Sequence, residues 1–199
     1  YLCLVCTNCQ NWQWHLGRDL MKKTSMLAKI TLFLLLFCCV SMAAYAANEV
    51  HPKSWRYKHG LTQASHLMWG LDAPIATFAA QIHQESRFNP NAKSPVGAAG
   101  LTQFMPGTAQ DMARLYPSLS PAAPYNPDWA LRALVAYDLQ LWRQIKADDD
   151  CQRGAMMLSA YNGGLGWVRR DQNLARAGGH SGQRWFGQVE WFNAGRKSS

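Results

Sequence analysis

The sequence is short of acidic side chains and of strand-like patterns. It has 12 Asp and Glu residues against 20 Lys and Arg residues, which gives a formal net charge of +8. No segment alternates apolar and polar residues as a half-buried strand does, and there is no internal repeat or long heptad run. These absences argue against a β domain and a coiled coil. They favour a mainly α fold, and 199 residues are enough for one domain with a core.

Metal-binding patterns are also absent. The histidines lack zinc-ligand spacing, and His83-Gln84-Glu85 is not a His-Glu-x-x-His site. Cys3, Cys6 and Cys9 are followed by no fourth ligand and no second cluster, so a metal ribbon is a weak interpretation. We expect neither a metal nor a cofactor.

The longest apolar run, residues 30–40, is too short to span a membrane comfortably. It follows Lys22, Lys23 and Lys29 and precedes Ala44-Tyr45-Ala46, a small-x-small cleavage pattern. We interpret residues 21–46 as a secretory signal peptide. Residues 1–20 begin with Tyr1 and are interpreted as non-native upstream sequence. The predicted product is periplasmic or extracellular, without stable membrane insertion after signal removal.

Removal of residues 1–46 would change the charge and the cysteine content. These residues hold four basic residues and one acidic residue, so the formal charge falls from +8 to +5. Cys151 would remain without a second cysteine, and we expect no internal disulfide. A basic exported domain suits an anionic polymer such as peptidoglycan. We expect no nucleic-acid partner, because the chain contains no nucleic-acid-binding motif. We also expect a monomer.

Helical patterns dominate the rest of the chain. We divide it into two parts. Residues 47–70 are a polar lead-in followed by a first helix from residue 61. Residues 71–199 form a domain, and truncation of its C-terminus stays an open alternative. Asp72 is the expected N-cap of a helix ending at Glu85. Further helices are predicted at residues 106–115, 127–147 and 152–162, with Asn126 as a cap and Gly163-Gly164 as a stop.

Glu85 is the strongest candidate for a catalytic residue. It closes an apolar stripe on one helix face, formed by Ile75, Phe78, Ala79 and Ile82. A carboxyl at the end of a core-facing stripe is partly shielded from water, so its pKa should rise, as a general acid requires near neutral pH. Pro90 and the residue before it end the helix and leave Glu85 facing a loop. The alternative is an ordinary exposed glutamate.

Three short motifs occur in order: Glu85-Ser86, Gly100-Leu101-Thr102-Gln103 and Ala160-Tyr161-Asn162. Together they resemble the lytic transglycosylases of the SLT, or goose-lysozyme-like, superfamily. The resemblance covers residues 71–162 and continues more weakly to residue 196. It implies a lysozyme-like helical domain with an active-site groove. Thr102 departs from the methionine common in the family, and we expect this to alter the lining of the groove.

The resemblance implies cleavage of the β-1,4 bond between N-acetylmuramic acid and N-acetylglucosamine in peptidoglycan glycan strands. The product would be a 1,6-anhydro end made without water, with Glu85 as acid and then base. Ser94, Gln103 and Tyr161 would bind substrate or assist. Ser86 and Asn162 would be structural. The alternative for Ser94 is a turn serine without a role in the reaction. The alternative for Tyr161 is an aromatic residue of the core.

Asp138 interrupts the apolar stripe of the longest predicted helix. A carboxylate facing inward must be hydrogen-bonded or paired to be tolerated. We expect a structural anchor, and the alternative is a second carboxylate that would favour hydrolysis. The competing functions are therefore a hydrolytic muramidase of the same fold and a non-catalytic module for cell-wall binding or assembly.

Overall fold

The computed structural model describes residues 52–192. The predicted signal peptide, the upstream segment and the last residues lie outside this range. Within it the chain is mainly helical, and the described elements are isolated β-bridges and helices. The α-helices are α1 (Trp55–Met68), α2 (Ile75–Ser86), α3 (Pro106–Leu115), α4 (Pro127–Gln144), α5 (Asp150–Gly163) and α6 (Leu165–Ala177). Short 3-10 helices occupy Pro52–Ser54, Pro117–Leu119 and Val189–Trp191.

The mainly α fold class is confirmed, and the starts of the first two helices were placed wrongly. Helix α1 begins at Trp55, inside the expected lead-in, because Tyr57 is buried and anchors that turn. Asp72 does not cap α2, which begins after Pro74 without a side-chain cap. The fixed φ of proline suits a helix start without one.

Three other boundaries follow the local sequence signals. Helix α3 begins at Pro106, as predicted. The Asn126 side chain accepts hydrogen bonds from the backbone N–H groups of Asp128 and Trp129 and so caps α4. Helix α5 starts earlier than predicted, because Asp149 caps it by accepting from the Gln152 N–H. Helix α6 was not predicted.

Helix α4 is the centre of the packing. Its middle turns are fully buried at Leu134, Val135 and Ala136, each 0% exposed. The first part of α4 packs into a core shared with α1, α2 and α3, and its last turns pack with α5 and α6. Burying one such aliphatic side chain stabilises the fold by about 1.5–3 kcal/mol. This helix therefore fixes where the ends of α2 and α5 lie.

A compact loop of residues 87–105 connects α2 to α3. It folds back on itself through paired backbone hydrogen bonds between Ala99 and Phe104, with N···O distances of 3.0 and 3.2 Å. The Gly100 N–H donates to the Ala92 carbonyl at 2.8 Å. These bonds satisfy backbone groups in a segment without helix or sheet. The loop is therefore an ordered part of the domain.

Two further features concern membrane-spanning helices and cysteine. Among residues 52–192 no helix is both long enough and apolar enough to cross a membrane. Cys151 is the one cysteine among residues 52–192. The expectation of no internal disulfide concerns the chain after removal of residues 1–46, and it stays a prediction.

Gly100 and Gly97 offer a matched test of how tightly the loop is held. Both have positive φ, but a Cβ on Gly100 would lie 1.8 Å from the Pro124 carbonyl oxygen, whereas one on Gly97 would meet nothing within 4 Å. We expect Gly97→Ala to lower the free energy of unfolding by about 1–2 kcal/mol. Gly100→Ala should lower it by at least about 3 kcal/mol. Urea unfolding measures both, and equal losses would contradict the close approach to Pro124.

Candidate active site

Glu85 lies in the last turn of α2, where its stripe meets the loop. Phe78 and Ile82 on the same face are 0% exposed, whereas Glu85 itself is half-buried. The chain leaves the helix sharply, because Arg87 and Phe88 both adopt left-handed backbone conformations, with φ of 51° and 60°. This turn ends α2 at Ser86, four residues before Pro90. The carboxyl is thereby partly shielded from water and still accessible.

The environment of Glu85 favours its protonated form. Burial raises the pKa of this carboxyl from 4.5 to about 7, because removal from water disfavours the charged state. A pKa near neutrality lets one group both donate and accept a proton under physiological conditions. The sequence-based expectation of a raised pKa agrees with this geometry.

The loop after α2 is bonded to the ends of two helices. The Ser86 hydroxyl donates to the Leu101 carbonyl at 2.7 Å, and the Tyr161 hydroxyl donates to the Thr102 carbonyl at 2.7 Å. Residue 86 ends α2, and residue 161 lies in the last turn of α5. Consecutive carbonyls of the loop thus connect the helix carrying Glu85 to the helix carrying Tyr161. All three sequence motifs meet at this point.

Ser94 and Gln103 hold the loop from within. The Ser94 hydroxyl oxygen accepts from the Ala98 N–H at 2.9 Å. The Gln103 side-chain N–H2 donates to the carbonyls of Ala92 and Gly100 at 3.2 and 2.9 Å. Gln103 also has a positive φ of 50°. Both side chains therefore have structural bonds, and the Ser94 proton and the Gln103 side-chain oxygen remain for other partners.

Tyr161 belongs to an aromatic cluster beneath the loop. Its ring centroid lies 5.8 Å from that of Phe104 and 5.5 Å from that of Tyr137. Burial, together with the charges of Asp138 and Glu85, raises the pKa of the Tyr161 hydroxyl well above its ordinary value. The hydroxyl stays neutral and is oriented by its bond to the loop. Both alternatives from the sequence, core aromatic and site residue, are therefore compatible with its place.

Two other residues of the motifs have local roles. The Asn162 side chain donates to the Leu158 carbonyl at 3.1 Å, within the last turns of α5. The Thr102 side chain is 0% exposed. The expectation that Thr102 lines the groove is therefore wrong, and it is the carbonyl of this residue that participates in the site.

Asp138 was singled out by the sequence, but its neighbour Gln81 was missed. Asp138 is 0% exposed and Gln81 is 5% exposed, and none of their side-chain oxygen and nitrogen atoms forms a regular hydrogen bond among the described residues. Burial raises the pKa of Asp138 well above its ordinary value; Gln81 opposes this and the Glu85 charge adds to it. The hydrogen-bonded or paired anchor expected from the sequence therefore lacks a partner of regular geometry, and Gln81 is the polar side chain that acts on Asp138. The signal available in the sequence was a glutamine four residues before Glu85, on the same helix face.

The described part of the chain also has a cleft whose lining does not include Glu85. This cleft of about 600 Å³ is lined by residues that include Arg143 of α4, Lys146 of the following connection and Arg153 of α5. The Arg153 guanidinium lies 5.0 Å from the centre of the Trp142 ring. Among residues 52–192, no group of three or more His, Cys, Asp or Glu side chains is arranged to hold a metal ion.

Parts of two known proteins are similar in sequence to this chain. The soluble lytic murein transglycosylase of Escherichia coli K12 is 34% identical over 103 residues, covering 50% of this chain and 15% of that protein. The membrane-bound lytic murein transglycosylase F of Ectopseudomonas mendocina is 30% identical over 165 residues, covering 75% of this chain and 31% of that protein. The chain thus spans less than a third of either relative.

A solved structure and a family model complete the comparison. The 70 kDa soluble lytic transglycosylase of Escherichia coli aligns with a TM-score of 0.48 and 29% identity, over 57% of this chain and 18% of that one. The family model described as the transglycosylase SLT domain matches residues 61–183, which contain all three motifs. Since this match covers more than half of the sequence, the chain belongs to the transglycosylase SLT domain family.

Proposed function

We propose that this domain is a peptidoglycan lytic transglycosylase with Glu85 as its acid and base. The observation that carries the proposal is a half-buried carboxyl with a pKa of about 7 at a helix end, joined through one loop to Tyr161. The relatives are named as lytic murein transglycosylases, which gives the substrate class. The domain acts on glycan strands in the periplasm or outside the cell.

The reaction needs one titrating group. Glu85 donates its proton to the glycosidic oxygen as the bond from C1 of N-acetylmuramic acid breaks. The resulting carboxylate takes the proton of the C6 hydroxyl as its oxygen bonds to C1, which closes the 1,6-anhydro ring. Glu85 is protonated again at the end, and no water is consumed. The pKa near 7 suits both proton transfers, because neither form of the carboxyl is strongly disfavoured.

The other site residues have assisting roles in this proposal. Ser94 has a hydroxyl proton to donate toward the acetamido group of the sugar, since its oxygen already accepts from Ala98. Gln103 offers its side-chain oxygen to a sugar hydroxyl, since its N–H2 group is bonded to the loop. Tyr161 offers a neutral hydroxyl oxygen near the acid. Ser86 and Asn162 keep the two helix ends in place.

A hydrolytic muramidase is the competing function. Hydrolysis by two carboxylates requires the second one to activate water about 5–9.5 Å from the acid. Asp138 interacts electrostatically with Glu85, but it is 0% exposed and does not face solvent. This burial favours attack by the C6 hydroxyl of the substrate over attack by water.

Mass spectrometry of the products on purified wall sacculi tests the reaction. We expect muropeptides with 1,6-anhydro ends, each one water lighter than the hydrolysed form. Products with reducing N-acetylmuramic acid ends would show hydrolysis. No products, with sacculi still bound, would favour the non-catalytic wall-binding module.

Glu85→Gln tests the assigned acid. The amide keeps the size of the side chain but has no acidic proton, so turnover should fall on the order of 10²–10⁴-fold while binding to sacculi is retained. Glu190→Gln is the matched control, because Glu190 is exposed and only accepts a hydrogen bond from the Gly187 N–H. Unchanged turnover in Glu85→Gln would rule out this residue as the acid.

The pH dependence follows from the same carboxyl. The protonated form starts the reaction, and the pKa of Glu85 is about 7. Activity measured as kcat/KM should therefore be high below pH 7 and fall about tenfold per pH unit well above it. A profile that falls around pH 4.5 instead would show that Glu85 is not shielded when the enzyme is free.

A further inference from the structure

Asp138 is a buried acid that the proposed reaction does not use. It lies in the middle of α4 between fully buried aliphatic residues and is 0% exposed. Neither carboxyl oxygen has a hydrogen-bond partner of regular geometry among the described residues, and Asp138 is in none of their salt bridges. An ionised carboxylate without a cation or hydrogen-bond donors is among the most costly groups to bury. This burial therefore favours a neutral carboxyl.

Gln81 is the polar side chain that approaches Asp138. It lies on α2, is 5% exposed, and has no hydrogen-bond partner of regular geometry for either side-chain polar atom. Its amide nevertheless acts on the Asp138 carboxyl and opposes the effect of burial. Residues 81 and 85 are one helical turn apart, so they lie on the same face of α2. The contact thus joins α4 to the turn that presents Glu85.

The titratable groups around Asp138 are a carboxyl and two phenols. Glu85 acts on it from α2, while Asp138 in turn acts on Tyr137 of its own helix and on Tyr161 of α5. No cation is among these interactions. Two negative charges at Glu85 and Asp138 would repel each other across a largely water-free interior. The pair is therefore expected to carry at most one negative charge near neutral pH.

We propose that Asp138 is a positioning residue that stays protonated and directs its O–H toward the side-chain oxygen of Gln81. This contact holds the last turns of α2. Glu85 is then the only carboxyl of the pair that exchanges protons. This role deepens the proposed function, since it concerns the same acid. It assigns the second carboxyl a neutral, structural state. It also explains why two poorly bonded polar side chains occupy an otherwise apolar interface.

Infrared spectroscopy tests the protonation state without relying on turnover. The spectrum of Glu85→Gln minus that of Glu85→Gln/Asp138→Asn, recorded at pH 8, isolates the Asp138 carboxyl. We expect the carbonyl stretching band of a protonated carboxylic acid, because exposed acids are fully ionised at that pH. Carboxylate bands in place of the acid band would overturn the proposal. This result stands whether or not the domain proves to be a transglycosylase.

The pH–rate profile of Asp138→Asn gives a second test. An amide and a neutral carboxyl carry the same charge, so the fall in kcat/KM near pH 7 should stay within about 0.3 pH units of the original. If Asp138 were ionised, removing its charge would stabilise the Glu85 carboxylate. The fall would then move to lower pH by about one unit or more, and this shift would refute a neutral Asp138.

Gln81→Met tests the positioning contact. Methionine conserves the volume of glutamine but cannot accept the Asp138 proton. We expect kcat to fall about tenfold with KM nearly unchanged, since the acid is misplaced while substrate contacts remain. Thermal unfolding confirms that the variant is folded, and Gln84→Met, at an exposed position of the same helix, is the control. A folded Gln81→Met with unchanged kcat would overturn the positioning role; if it does not fold, the infrared spectra and Asp138→Asn decide.

Discussion

The site depends on the partial removal of one carboxyl from water. Glu85 continues an apolar stripe, so the same packing that buries Phe78 and Ile82 also shields the acid. Full burial would leave it unreachable, and full exposure would leave its pKa near 4.5. Glu85 is between these two extremes, because the left-handed residues Arg87 and Phe88 turn the chain away from the axis of α2 directly after the helix ends. The acid is therefore shielded on one side and open on the other.

The loop between α2 and α3 is held by hydrogen bonds to its backbone carbonyls. Ser86 donates to the carbonyl of residue 101, and Tyr161 donates to that of residue 102. Gln103 donates to the carbonyls of residues 92 and 100. Each of these side chains therefore contributes to loop order, and Gln103 and Tyr161 also have a role in the chemistry proposed for the site. A loop bonded to two helices at successive residues has few alternative conformations. Catalytic groups need this preorganisation, because misplacement by about 1 Å can cost about 100-fold in rate.

Buried polar side chains near the acid form the other constraint on this region. Asp138 and Gln81 occupy an interface where apolar residues would pack without loss of hydration. Their position next to the acid connects core packing to the charge state of the site. The neighbouring tyrosines, Tyr137 and Tyr161, stay neutral for the same reason, since burial disfavours their anions. The interior beside Glu85 therefore favours neutral groups in general.

Local sequence signals determined much of the chain. Pro106 and Asn126 marked helix starts, Gly164 marked a helix end, and the stripe ending at Glu85 marked the candidate acid. Such signals act over one or two helical turns, so they can be read without knowing the fold. The order of the motifs also identified the family before any contact was known.

Only the tertiary structure decided which atoms meet. The burial of Thr102, the bonds of Ser86 and Tyr161 to adjacent carbonyls, and the approach of Gln81 to Asp138 all join residues far apart in sequence. Asp72 failed as a cap because α2 begins at Ile75, so that Pro74 and not Asp72 is at the N-cap position. The sequence by itself determined which residues are chemically competent and which helix faces are apolar. Their contacts depend on how α2, α4 and α5 pack, and packing is a property of all the helices together.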